Sequence, residues 1–355
     1  MNIINFIGLA FVAALVTPIV TSCNNYDFDQ NVYPHKVSLM AGSDRIYDRT
    51  TVNLSAVEDG TASIKLVATL SGSLLADRDY HVTVAHDDSL FNAYNKSNFD
   101  VDSSKFAHLL PAEYYEDSSL SGTISAGTNK CTFDIKLKNL DKLSPDSTYF
   151  LDYKIIQHDA EAIATDNNKL DSRLDHVLLK ITWKNDYAST ATAYNYQLTG
   201  TQVINNNTKS VARPTNTVRA FSIDAHSVRF LAGDESYSDY TKALHDINVK
   251  SIIVTVNSQT ATNPDAYNIS IKPYKSDSLE VETLTPYGEY DNTFLLNKIG
   301  GSASSNATYY KEFRLHYKYR ILTNIKQKDG TWTPGPWKEV LCKMRYQYNP
   351  RADQL

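Results

Sequence analysis

The chain has 355 residues, of which 21% are charged and 42% are hydrophobic, and its formal net charge is −5. This composition is that of an ordinary globular protein and excludes an intrinsically disordered chain. Because the balance is slightly acidic and no basic cluster occurs, it also excludes nucleic acid as the expected partner.

The N-terminus has the pattern of a bacterial secretion signal. An apolar run over residues 3–20 is followed by small residues and then by Cys23. Lipoprotein processing requires this order, so we expect a signal peptide over residues 1–22, a lipid on Cys23 and a lipid-anchored linker over residues 23–36. The alternative is an uncleaved membrane anchor, since the run could just span a bilayer. Pro18 favours the signal peptide because it would break a spanning helix.

The segment 37–184 has the pattern of an immunoglobulin-like β-sandwich. Its clearest β-rich stretches are Ile64–Leu70, Tyr80–Val84, Phe133–Leu137, Tyr149–Ile156 and Val177–Trp183. Short strands separated by polar turns are typical of an antiparallel sandwich. Asp88–Asn95 and Pro111–Tyr115 are expected to form short helical turns.

A polar stretch over residues 184–193 predicts a boundary, and residues 190–355 are expected to form a second β domain. Its β-rich stretches are Tyr194–Leu198, Val218–Ile223, Val228–Leu231, Val249–Val256, Tyr267–Ile271 and Leu279–Leu284. Ser238–Ile247 is the one helix candidate there, because its apolar residues fall on one helical stripe.

The strongest local signal lies near the C-terminus. Apolar and polar residues alternate from Phe313 to Ile321 and again from Val340 to Tyr346, with an Asp329-Gly330 turn between them. This pattern predicts a long half-buried hairpin, which suits a barrel better than a second small sandwich. The predicted fold is therefore all-β, with an N-terminal Ig-like β-sandwich and a C-terminal antiparallel β-barrel-like (lipocalin-like) domain.

The sequence carries no recognisable catalytic signature. It has neither a G-x-S-x-G nor an H-E-x-x-H motif, and its nine histidines are scattered, so we expect no enzyme activity, no metal site and no cofactor. Besides Cys23, the cysteines are Cys131 and Cys342, both within alternating strands. Two buried free thiols are expected, because a disulfide between them would have to cross between the domains.

Aromatic residues in Gly- and Pro-containing loops are the remaining candidates for a site. Trp332 and Trp337 flank a segment with two prolines, and Tyr287 and Tyr290 lie in a similar loop. A rigid aromatic face can stack on a sugar ring while neighbouring polar side chains bond its hydroxyls. The alternative is that these four residues cap the barrel or pack between domains. Trp183 is expected to be a core or interdomain residue.

A series of motifs resembles the uncharacterised N-terminal domain of Bacteroidetes surface lipoproteins. The motifs are Ser89–Asn95, His108–Tyr115, Ile124–Gly127 and Ser147–Ile155. Asp152 stands where that family usually has a proline. The C-terminal half looks like the domain of unknown function that often follows.

The resemblance implies an accessory lipoprotein of a starch-utilisation-type glycan importer, anchored in the outer membrane and facing the cell exterior. It implies binding of oligosaccharides and contact with importer subunits. The same N-terminal domain also precedes some family-18 glycoside hydrolases, so a cryptic hydrolase stays open. A structural or adhesive surface protein is the other alternative.

Overall fold

The computed structural model describes residues 33–40, 47–57, 61–117, 119–165, 173–211, 216–237, 243–300, 307–323 and 325–350. Cys23, the predicted signal peptide and most of the predicted linker lie outside these residues. In the part of the chain that is described, no helix is long and apolar enough to cross a membrane.

The first domain is a sandwich of two β-sheets. Its strands are β1 Lys36–Leu39, β2 Tyr47–Asn53, β3 Ala62–Leu70, β4 Tyr80–His86, β5 His108–Leu109, β6 Tyr115–Asp117, β7 Ser121–Ile124, β8 Lys130–Leu137, β9 Tyr149–His158, β10 Ala162–Ile163 and β11 His176–Lys184. One sheet has the order β10-β1-β3-β8-β6 and the other β2-β11-β9-β4-β7, with β5 beside β9. Alternate residues of both sheets face a shared apolar core.

The sandwich is not purely antiparallel, which corrects the sequence prediction. β2 runs parallel to β11 over its whole length, from Tyr47 beside Leu178 to Asn53 beside Lys184. β1 is also parallel to β10, and β5 to β9. The physical reason is that β1 and β2 belong to different sheets, so β2 lies beside the last strand of the domain. Sequence periodicity carries no information about that long-range choice.

Helix α1, Ser89–Phe99, lies on the outer face of the second sheet. Its apolar side chains contact a small cluster formed by Ala107, Phe150 and Leu178. Buried Asn95 fixes the helix through two hydrogen bonds to the backbone of Ala107, at 2.8 and 3.2 Å. The predicted helical turns at Asp88–Asn95 and Pro111–Tyr115 are confirmed as α1 and a 3₁₀ turn over Ala112–Tyr114.

The second domain is a closed antiparallel barrel. Its strands are β12 Tyr194–Ile204, β13 Asn207–Ser210, β14 Thr217–Ser222, β15 Ser227–Leu231, β16 Ser251–Gln259, β17 Ala266–Pro273, β18 Leu279–Thr283, β19 Thr293–Ile299, β20 Thr308–Ile321, β21 Ile325–Lys326, β22 Trp332–Thr333 and β23 Lys338–Tyr348. The circuit of eight strands runs β12-β14-β15-β16-β17-β19-β20-β23 and returns to β12. Closure leaves no edge in the wall.

Aromatic side chains fill the barrel interior. The rings of Tyr196, Phe230, Phe294 and Phe313 contact one another with centroid distances of 4.9–5.6 Å. The all-β expectation for both domains is therefore confirmed, and the interior of this barrel is occupied by its own core.

The predicted long hairpin is confirmed, because β20 and β23 pair directly. Its connection is longer than expected, since the Asp329-Gly330 turn closes a small β21–β22 hairpin that lies between the two strands in sequence. Helix α2 is Ala243–Lys250, and residues 238–242 lie outside the described part of the chain. Its buried residues are Asp246, Ile247 and Val249, whereas Leu244, expected in the apolar stripe, is 56% exposed.

Polar contacts join the two domains. The Arg229 guanidinium, on the outside of the barrel and 1% exposed, donates two hydrogen bonds to Asp146 of the sandwich at 2.5 and 2.6 Å. Trp183 belongs to the sandwich core, and its Nε1 donates to the Ser222 carbonyl across the boundary. It is therefore both a core and an interdomain residue. Cys131 is half-buried, Cys342 is buried, and no disulfide joins them.

Candidate functional site

A cleft of about 350 Å³ lies between helix α2, the turn from β17 to β18, and the β21–β22 hairpin. We call it cleft one. Its lining residues are His245, Asn248, Val249, Lys275, Asp277, Ser278, Thr323 and Trp332. Most of these side chains are polar, and Trp332 contributes a flat apolar surface that is 49% exposed. Convergent polar groups beside an exposed ring are the usual composition of a small-molecule site.

The β21–β22 hairpin holds Trp332 at the rim of cleft one. Gln327 and Thr331 pair through their backbones at 2.7 Å, and the Asp329 carboxylate accepts hydrogen bonds from the backbone and the hydroxyl of Thr331. Gly330 adopts a positive φ of 87°, as this tight turn requires. Behind the hairpin, the backbone N–H of Gly335 donates to Ile321 at the end of β20. These hydrogen bonds fix the backbone that carries the Trp332 ring.

The opposite wall of cleft one is a turn closed by backbone hydrogen bonds from Ser278 and Leu279 to Lys275. Asp277 accepts a hydrogen bond from the Ser278 hydroxyl at 2.9 Å. Thr323 Oγ1 is buried and has no hydrogen-bond partner among the described residues. A buried hydroxyl without a partner costs free energy, so Thr323 is a group that a bound ligand can satisfy.

Trp337 has a different environment and does not line cleft one. Its ring is half-buried, with the Arg320 guanidinium 4.7 Å and the Lys318 ammonium 4.9 Å from its centroid. Both cations leave the same side of β20, so they support the ring from the barrel wall. They also form ion pairs with Glu280 and Glu282 of β18. The Trp337 ring therefore packs against a surface ion-pair network.

Tyr287 and Tyr290 lie in a loop that leaves the barrel wall between β18 and β19. These two strands pair with different parts of the same side of β20, so the loop over residues 284–292 projects onto the outer surface. Tyr287 and Tyr290 pair with each other through two backbone hydrogen bonds. Tyr287 is 67% exposed and its ring is 6.2 Å from that of His316. Tyr290 is half-buried, and burial raises its pKa.

Of the four predicted aromatic residues, Trp332 lines cleft one. Trp337 lies against Lys318 and Arg320, Tyr287 lies beside His316, and Tyr290 is half-buried in the same loop as Tyr287. The polar lining residues of cleft one were not predicted. They come from three segments separated by many residues, and only Trp332 gave a local signal. Among the described residues no group of His, Cys, Asp and Glu is arranged to hold a metal ion.

A cluster in the sandwich has the residue types of a catalytic triad. His176 contacts the Ser89 hydroxyl and Asp175, each at 3.3 Å, and Asp87 at 3.2 Å. The Ser89 hydroxyl donates to Asp87, and this bond lowers the pKa of Asp87 to about 2. The serine proton is thus directed to a carboxylate that stays ionised, not to the imidazole. Asp87 also accepts the Ser89 backbone N–H, so the cluster fixes the start of α1.

Two family models match the chain. One, described as an N-terminal domain, matches residues 30–162, and the other, described as a C-terminal domain, matches residues 175–344. The second match includes β11, the last strand of the sandwich, which pairs with β2 and β9. No curated protein matches the chain.

Solved structures from Bacteroides share the fold. A protein of unknown function from Bacteroides ovatus has a TM-score of 0.59 at 18% identity, covering 88% of this chain and 94% of its own. A multidomain protein including DUF1735, also from Bacteroides ovatus, has a TM-score of 0.58 at 18% identity, with coverage of 88% and 94%. An auxiliary nutrient binding protein from Bacteroides thetaiotaomicron has a TM-score of 0.56 at 17% identity, with coverage of 85% and 90%. The Bacteroides origin of these structures agrees with the resemblance of the sequence motifs to Bacteroidetes lipoproteins.

Proposed function

We propose that this chain is a non-catalytic, lipid-anchored surface protein that binds oligosaccharides in cleft one. The observation that carries the proposal is Trp332, half-exposed at the rim of a cleft whose other side chains are mainly polar. A sugar ring presents C–H groups on one face and hydroxyls at its edge. It can stack on the indole while Asn248, Lys275 and Asp277 bond its hydroxyls.

The likeness to solved structures supports the proposal only at the level of fold. One of them is described as an auxiliary nutrient binding protein, and its identity to this chain is 17%. Transfer of a binding role from that protein to this one is part of the proposal. The expected contact with outer-membrane importer subunits is likewise part of the proposal.

The number of carboxylates in cleft one supports a non-catalytic role. Asp277 is the one carboxylate among the described residues that line it. Glycoside hydrolysis by the usual mechanisms requires two carboxylates on opposite sides of the scissile bond. We therefore expect purified protein to bind saccharides without releasing reducing sugar.

The anchor completes the proposed function. Lipidation of Cys23 would hold both domains at the outer membrane, and the short, mildly acidic stretch after it favours display to the exterior. Surface proteolysis of intact cells, compared with lysed cells, tests this orientation. Protection in intact cells would contradict outward display.

The test of the site compares two tryptophans. Affinity electrophoresis against a panel of plant and host glycans identifies a ligand, and calorimetry measures its affinity. We expect Trp332→Ala to weaken binding roughly tenfold or more, since the stacking surface is lost. Trp337→Ala is the matched control and should retain affinity, because its ring lies outside cleft one. No binding across the panel, or equal losses of affinity in both variants, would contradict the assignment of cleft one as the binding site.

The alternative function is a structural or adhesive surface protein, which an exposed β surface without a pocket would favour. Cleft one and a second cleft described below favour a small ligand instead. Capture of an importer or fimbrial subunit by a chain with no glycan affinity would favour the alternative.

A further inference from the structure

A second cleft, of about 410 Å³, lies on the outer face of β14 and β15. We call it cleft two. The lining residues that bear on its chemistry are Asn195, Thr217, Arg219, Phe221, Ser236 and Tyr237. Tyr237 is 45% exposed and gives the cleft a flat aromatic surface.

Arg219 is the distinctive residue of cleft two. Its side chain is exposed, and its guanidinium carbon lies 4.6 Å from the centre of the Phe221 ring. Stacking on an aromatic ring fixes the plane of a guanidinium while leaving its N–H groups at the edge. No described carboxylate forms an ion pair with Arg219, so the charge is available for an anion.

Arg229 shows the contrast within the same cleft. It lies 4.5 Å from the same Phe221 ring, but Asp146 of the sandwich neutralises it through two hydrogen bonds. No Asp or Glu is among the described residues that line cleft two. The charge that these lining residues leave without a counter-ion is therefore positive and comes from Arg219.

Helix α2 separates the two clefts. His245, Asn248 and Val249 face cleft one, whereas Ile247 and the following Ser251 face cleft two. Opposite sides of one short helix thus border both clefts. A single oligosaccharide chain that crosses α2 could place one unit in each.

We infer that cleft two binds the carboxylate of a uronic-acid unit, with Arg219 as its anion contact. The planar guanidinium edge matches a carboxylate with two parallel hydrogen bonds. Tyr237 offers a stacking surface for the sugar ring, and Asn195 and Ser236 are hydrogen-bonding groups for its hydroxyls. This inference rests on the proposed saccharide-binding function and adds the class of saccharide, an acidic one.

The test uses the purified full chain in mild detergent. Calorimetry compares an oligogalacturonate with its carboxyl-reduced counterpart, which has the same length and linkages but no charge. We expect the acidic form to bind about tenfold more tightly, by a margin that shrinks as salt is raised. Arg219→Gln should make the two affinities equal. Lys136→Gln, which removes an exposed charge from the sandwich, should leave the preference intact.

Three outcomes decide between the two proposals. Equal affinity of the unaltered chain for both forms, or a preference that survives Arg219→Gln, overturns this inference. If the reduced form still binds and Trp332→Ala abolishes that binding, the proposed function stands without it. If neither form binds, the inference of an acidic ligand fails, and the glycan panel then decides on the proposed function independently.

Discussion

The two tryptophans near the C-terminus differ in their surroundings. Trp332 is carried by a two-stranded hairpin away from the barrel wall, so its ring faces a cleft. Trp337 lies back on the wall, where Lys318 and Arg320 contact its face. An aromatic ring can stack on a ligand only where no other side chain of the protein already covers its face.

Asp152 is another residue whose role depends on its environment. It is 1% exposed beneath α1, where one carboxylate oxygen accepts the Phe91 backbone N–H at 3.0 Å. The other oxygen has no partner among the described residues. Burial, together with the negative charges of Asp87 and Asp88, raises the pKa of Asp152 from 3.8 to about 7.

This raised pKa predicts a dependence of stability on pH. The folded chain holds the Asp152 proton more tightly than the unfolded chain, so the group favours folding below about pH 4 and this contribution is lost as the pH rises through about 7. Asp152→Asn removes the titration. We expect the variant to gain stability over the unaltered chain between these values, by on the order of 4 kcal/mol at most. Urea unfolding at several pH values measures the difference.

The control for this prediction is Asp134→Asn, which alters an exposed acid on the solvent face of β8. Its stability difference from the unaltered chain should stay nearly constant over the same range. A constant difference for Asp152→Asn as well would show that Asp152 is ionised throughout.

At the scale of elements, the barrel depends on the seam where β12 meets β23. Gly200 of β12 pairs with Cys342 and has a positive φ of 139°. A Cβ at this position would overlap the Leu341 carbonyl oxygen and lie 2.7 Å from the Cys342 Cα. Glycine is therefore required for the two strands to approach closely enough to close the barrel.

Gly200→Ala should destabilise the barrel by on the order of 3 kcal/mol, because backbone strain and a steric clash add. Gly288→Ala is the matched control. Gly288 also has a positive φ, 57°, but nothing lies within 4 Å of its added Cβ. It should cost about 1 kcal/mol. Denaturant unfolding measures both losses, and equal losses would contradict a clash at the seam.

At the scale of the whole molecule, the buried Arg229–Asp146 pair joins the sandwich to the barrel. Phe221 and Tyr274 lie 4.5 and 4.9 Å from the Arg229 guanidinium, so the charge is enclosed by rings as well as by its partner. Asn185, between the domains, also donates to the Asp224 and Ser227 carbonyls at 2.7 and 3.0 Å. The domains are thus held by groups that lose their partners if they separate.

Asp146→Ala should cost roughly 3–5 kcal/mol, since it leaves the Arg229 charge buried without a partner. The double change Asp146→Ala with Arg229→Met should recover much of this loss, because no charge is then buried. Arg78→Ala, which breaks an exposed pair with Asp159, should cost about 1 kcal/mol or less. Urea unfolding followed by tryptophan fluorescence tests all three. A double variant as unstable as Asp146→Ala would contradict this account.

Local patterns explain which features the sequence predicted. Apolar and polar residue types alternate along β20 and β23, because one face of each strand packs in the barrel core, so both strands were recognised. β19 was missed, since its Phe294-Leu295-Leu296 run does not alternate. Arg219 was also overlooked, because an exposed arginine on a strand looks like any solvated charge.

The sequence by itself determined the all-β class and most strand positions and indicated Trp332 as a candidate residue, since these depend on residue type and on a period of two along the chain. Only the tertiary structure decided the parallel pairing of β2 with β11, the sharing of one side of β20 by β18 and β19, and the two clefts beside α2. Each of these brings together segments that are distant in sequence. Their contacts follow from how the sheets close, which no local pattern records.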